Sequence, residues 1–86
     1  MALLLPPVGG LATDSLGQEW MRTSAALAGR LDPVVRQAVV ARRATVLDEL
    51  ERRDPGGFAR WLAAGPAPGN PADHVRDLPA AGTGAA

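Results

Sequence analysis

DPVVRQAVVARRATVLDELERRDP, residues 32–55, reads as one uninterrupted helix with punctuation at both ends, and the rest of the chain is organised around it. Asp32 is a good N-cap, because its carboxylate accepts from the free backbone N–H groups of the first turn. Pro33 suits the first helical position, where it has no N–H to lose and its φ is preset. After Pro33 nothing breaks the helix until Asp54-Pro55, so at ~1.5 Å rise per residue the segment 33–53 makes a rod of roughly 30 Å.

Counting around that rod assigns its faces. Val35, Val39, Val46 and Leu50 recur at helical spacing, with Val40 and Leu47 flanking them, which is the apolar stripe of an amphipathic helix and is expected to be buried. Ala38, Ala41 and Thr45 lie opposite, short enough for a second helix to approach, mixed with Gln37, Asp48, Glu49 and Arg52. Asp48 with Arg52 and Glu49 with Arg53 stand four apart in the acid-first order, a pattern expected at a solvated helix end. Arg36 and Arg43, seven apart, project between the apolar rows. Their stems either cover apolar surface while the guanidinium groups reach water or stack on Trp20 or Trp61, or this face meets an acidic or phosphate-bearing partner.

The chain has 86 residues, enough for one small domain, and without cysteine no disulfide or thiolate metal site can staple it. Packing must hold it together. Ala, Gly, Pro and Arg supply about half of the residues and lysine is absent, a bias that fits a GC-rich coding source. Nine acids balance nine arginines, so no long-range field draws the protein to nucleic acid or to an anionic membrane.

Residues 1–13 are expected to form a flexible N-terminal arm, with docking of Leu3 to Leu5 as the alternative. The prolines at 6 and 7 cut the leading apolar run far short of a signal sequence or a membrane span, so a cytoplasmic protein is expected. Asp14 or Ser15 signals the start of a helix over about 15–28, Ser15 and Gln18 having capping-box spacing. Leu16, Trp20 and Leu27 share one face of it, Met21 and Ala28 lie beside them, and Gly29 suits the end. The link 29–32 is short, which predicts an antiparallel helical hairpin. Asp54-Pro55 repeats the cap-plus-proline device and opens a third helix over about 55–64, whose Phe58, Trp61 and Leu62 form an apolar knob that folds back near Leu47 and Leu50. Gly65 to Gly69 is a proline-stiffened linker. Asn70-Pro71 repeats the device and allows a short fourth helix over 71–77, with Val75 and Leu78 facing inward. The tail 79–86 is low in complexity and expected to be disordered. The fold class is therefore all-α, one small helical domain over 14–78 between flexible termini.

The residues that carry chemistry are few. A catalytic site needs a nucleophile with a base, a metal with its ligands, or a pair of tuned carboxylates. His74 is the one histidine, and Asp73, His74 and Asp77 on a short turn specify a metal only loosely. Ser15 and Ser24 stand in no G-x-S-x-G context, and the glycines match neither the P-loop nor the dinucleotide fingerprint. No enzyme activity, cofactor, metal or small-molecule substrate is expected.

The run 41–62, followed by Gly65-Pro66-Ala67-Pro68-Gly69-Asn70-Pro71-Ala72-Asp73, resembles short, uncharacterised proteins of high-GC actinobacteria over roughly residues 15 to 76. The resemblance implies a host and a genomic setting near mobile or conjugative elements, and it assigns no activity and no catalytic residue.

Two functions are compatible with these residues. The first is a non-catalytic helical protein-interaction module that pairs with itself or binds a partner protein through Trp20, Val35, Arg36, Val39, Val40 and Arg43. The alternative is an accessory DNA-associated protein, linked to mobile elements, using Arg36, Arg42, Arg43, Arg52 and Arg53 on phosphates. Asp48, Glu49 and Glu51 on the same helix oppose the alternative.

Overall fold

The computed structural model describes residues 7–65 and 69–76; the expectations for Leu3 to Leu5, for the middle of the linker, for Asp77 and Leu78 and for the tail 79–86 lie outside them. Three α-helices follow one another, α1 (Thr13–Ala28), α2 (Pro33–Arg53) and α3 (Pro55–Ala63), with 3-10 turns at Val8–Gly10 and Pro71–Asp73. No strand occurs among the described residues. The protein is all-α, as its punctuation predicts.

The caps work as local chemistry says they should. Asp32 Oδ1 accepts from the Val34 N–H at 2.8 Å, and Pro33 opens α2. Asp54 Oδ1 accepts from the Gly57 N–H at 2.9 Å and starts α3, while Asn70 Oδ1 accepts from the Ala72 N–H at 2.8 Å. That third device drives only the Pro71–Asp73 turn, not the helix over 71–77. The Arg76 N–H is instead held by Asp54 Oδ2 at 3.1 Å, which draws the chain onto the start of α3. Val75 is buried, facing inward as expected.

The first helix starts earlier than its cap signals predict. Its N-cap is Ala12, which offers no side-chain hydrogen bond, and Asp14 and Ser15 lie inside the helix, so the Ser15–Gln18 capping box does not form. The segment leading into the helix is held by tertiary contacts: the Arg53 guanidinium donates to the carbonyls of Val8 (3.0 Å) and Leu11 (2.6 Å) and to the Thr13 hydroxyl (3.0 Å). Within residues 7–13, which the sequence assigns to the arm, Val8–Gly10 form a turn, Val8 and Leu11 pack against the core and Thr13 opens α1. Gly29 ends α1 at φ −97°, so the left-handed cap geometry that glycine permits is not used.

α1 and α2 run antiparallel, since Thr13 meets Arg53, Glu19 meets Arg42 and Gly29 meets Arg36. α3 folds back on the C-terminal half of α2, and the Pro71–Asp73 turn sits against α1 at Gly17. The core therefore gathers at one end of the hairpin. Leu16, Val46, Leu50, Phe58, Trp61 and Val75 fill it, with Val8, Leu11, Trp20 and Leu47 packed around. Leu62 of the expected knob remains 52 % exposed, because α3 turns only its Phe58 and Trp61 side inward.

Candidate interaction surface

The apolar stripe of α2 divides into two halves with different fates. Val46 and Leu50 are closed off by α1 and α3, whereas Val35 is 44 % and Val40 53 % exposed and Val39 is half-buried. The stripe is thus buried in its C-terminal half, while Val35 and Val40, assigned from the sequence to a partner contact, are left open. The cause is architectural: α3 ends at Ala63, and among the described residues only α1 lies against the N-terminal half of α2. Val34, in the first turn of α2, is 74 % exposed.

The boundary between the two halves is drawn by Trp20 and Arg43. The Trp20 ring meets Trp61 edge-on at 5.4 Å, and the Arg43 guanidinium lies 3.5 Å over the Trp20 centroid. The stacking geometry that the sequence allows for Arg36 or Arg43 is thus adopted by Arg43. Its Nη1 also donates to the Trp20 carbonyl (3.0 Å), the Thr23 hydroxyl (2.6 Å) and the Ser24 hydroxyl (3.0 Å). Burial lowers the pKa of Arg43, but an arginine keeps its charge in a protein. Here the cation closes the edge of the core by π-stacking and hydrogen bonding together.

The remaining arginines of the alternative set are similarly engaged. Arg42 makes a two-pronged contact with Glu19, 2.6 Å from Nε and 3.1 Å from Nη2, which raises the arginine's pKa. Arg52 pairs with Glu49 three residues back, at 2.6 Å, and not with Asp48. Arg53 pairs with the same carboxylate at 2.7 Å. Glu49 is therefore buried at a junction of two cations, contrary to the solvated end expected from its spacing. Arg52, then Arg53, hydrogen-bond the Glu49 carboxylate and hold its pKa at about 2. A signal for this was present: Arg53 stands three residues past Leu50 and seven past Val46, on the buried stripe itself.

Arg36 differs from these. It is exposed, and the one side-chain hydrogen bond it makes among the described residues is long, 3.4 Å from Nη2 to the Gly29 carbonyl. The six residues proposed to meet a partner thus separate into two groups: Trp20 and Arg43 close the core, while Val35, Arg36, Val39 and Val40 line its open end. At the far end, His74 Nδ1 is a buried nitrogen with no hydrogen-bond partner among the described residues, and no group of metal-ligating side chains surrounds it there. No helix among the described residues is long and apolar enough to cross a membrane. No protein-family model, no curated protein and no solved structure matches this chain.

Proposed function

We propose that the protein is a non-catalytic helical interaction module whose N-terminal half of α2 is completed by another polypeptide. The observation that carries this is the contrast along α2, sealed at Val46 and Leu50 and open at Val35 and Val40. Single exposed apolar residues are ordinary, whereas an apolar stripe closed over half its length and open over the other half leaves a surface that a further polypeptide would complete. Phosphate binding finds less support, because Arg42, Arg43 and Arg53 are held by partners within the chain and Arg52 by Glu49. A generic DNA duplex is accordingly expected to show no binding at physiological salt; a tight, salt-sensitive complex weakened by Arg36→Ala would favour that alternative instead.

The test compares the wild-type protein with a Val35→Asp, Val40→Asp double variant in sedimentation and in affinity capture from the native host. The wild type is expected to associate with itself or to retain a defined protein, and the double variant to lose that association while keeping its helical circular dichroism. A wild-type monomer whose captured proteins match those of the variant would overturn the proposal.

A further inference from the structure

We infer that a second copy of this chain lies antiparallel along the outer face of α2, which shares Val40 with the surface described above; this rests on the interaction function proposed above. The inference starts from the charges of that face. Arg36 near its N-terminal end has only the long Gly29 contact, and Asp48 and Glu51 near its C-terminal end are exposed and join no ion pair among the described residues. Between them the face is neutral, carrying the exposed Val40, Ala41 and Ala44, with Leu47 half-buried at its edge. One face of one helix therefore bears a cation at one end, anions at the other and an apolar middle.

Such a face complements itself in only one direction. A parallel copy would set Arg36 against Arg36 and Glu51 against Glu51. An antiparallel copy related by a two-fold axis near Ala44 sets Arg36 of each chain against Glu51 of the other, and Val40 against Leu47. Two-fold symmetry makes each of these contacts twice. The fifteen helical steps from Arg36 to Glu51 span about 22 Å, enough for two separate ion pairs to flank one apolar centre. The helix dipoles also oppose each other in this arrangement.

The wider distribution of charge agrees. With Arg42 paired to Glu19, the loop end of the hairpin carries Arg22, Arg30 and Arg36 against Asp32 and is basic, while Asp48, Glu49, Glu51 and Asp54 face Arg52 and Arg53 at the other end of α2, which is acidic. Loop-end to loop-end association would oppose like charges, while the antiparallel arrangement places each basic end beside an acidic one.

Sedimentation equilibrium on the intact chain, with Arg36→Glu, Glu51→Arg and the combined swap, tests this. The wild type is expected to dimerise at micromolar concentration. Each single variant should raise the dissociation constant about tenfold, because reversal converts two attractions into two repulsions, and the combined swap should restore it to within about threefold. Circular dichroism should be unchanged in all three. A dimer insensitive to either reversal, or not rescued by the swap, overturns the antiparallel pairing and leaves the interaction function standing. A monomer that captures a different protein through Val35 and Val40 overturns the second copy as occupant. A monomer that captures nothing overturns both.

Discussion

Arg53 and Glu49 join three separate segments of the chain. Arg53 ties the Val8 and Leu11 carbonyls and the Thr13 hydroxyl to the end of α2, and Glu49 neutralises it from one turn back at 2.7 Å. A buried cation without its anion is costly, so removing one partner destabilises more than the intact pair stabilises. The carboxylate's pKa in the folded chain lies at about 2, well below its ordinary 4.5. A depressed carboxylate contributes stability that is fully present above about pH 4.5 and is lost as pH falls toward 2, because the unfolded chain takes up the proton first. The melting temperature of the wild type is therefore expected to fall between pH 5 and pH 2 more steeply than that of Glu49→Gln, which has no such proton to bind. Parallel slopes for the two proteins would remove Glu49 from the acid response. Sequence spacing revealed the Glu49–Arg53 pair but placed it in solvent, since i,i+4 arithmetic does not tell which side of a helix another segment will cover.

At the scale of elements, the same distinction separates what local pattern shows from what only packing decides. Asp32-Pro33 and Asp54-Pro55 are complete instructions in themselves, acting within one helical turn, and both helices begin where those pairs stand. The start of α1 does not follow Ser15 and Gln18, and the Thr13 hydroxyl at that start accepts from Arg53, forty residues away in the chain, a contact that no local pattern announces. Two adjacent glycines in α3 make this testable. A Cβ at Gly57 would collide with the His74 carbonyl and the Asp54 carboxylate, whereas one at Gly56 would meet Arg60 Nη1 at an ordinary 3.5 Å. Both replacements by alanine gain helix propensity, up to about 1 kcal/mol. Gly56→Ala is accordingly expected to stabilise slightly or leave the protein unchanged, and Gly57→Ala to destabilise it by about 1–3 kcal/mol in urea titration, since a backbone carbonyl must move. Equal stabilities for the two variants would mean that the Asp54 to Arg76 contact does not hold the chain against α3.

Across the whole molecule, coverage is uneven, and this decides where substitutions should be felt. The amphipathic spacing of α2 correctly marks the side that faces the other helices, but it carries no information about how far along the rod a third layer extends. That length is fixed by Gly65, which follows α3 and has φ +123°, a backbone setting that turns the chain away after nine helical residues. Val46 therefore lies under α1 and α3 at 1 % exposure, while Val40, six residues earlier, stays 53 % exposed. Replacing Val46 by alanine leaves a cavity in a closed core and should cost about 2 kcal/mol at every protein concentration. Val40→Gln should leave the stability of the dilute monomer within about 0.5 kcal/mol. It should act on association instead: the melting temperature of the wild type is expected to fall on dilution, as for any fold stabilised by binding, and this dependence should flatten in Val40→Gln while persisting in Val46→Ala. Thermal melts over a hundredfold range of concentration would show it. If Val40→Gln lowered the dilute-limit stability as much as Val46→Ala, the N-terminal half of α2 would already be packed within the single chain, and nothing would remain for a second copy to complete.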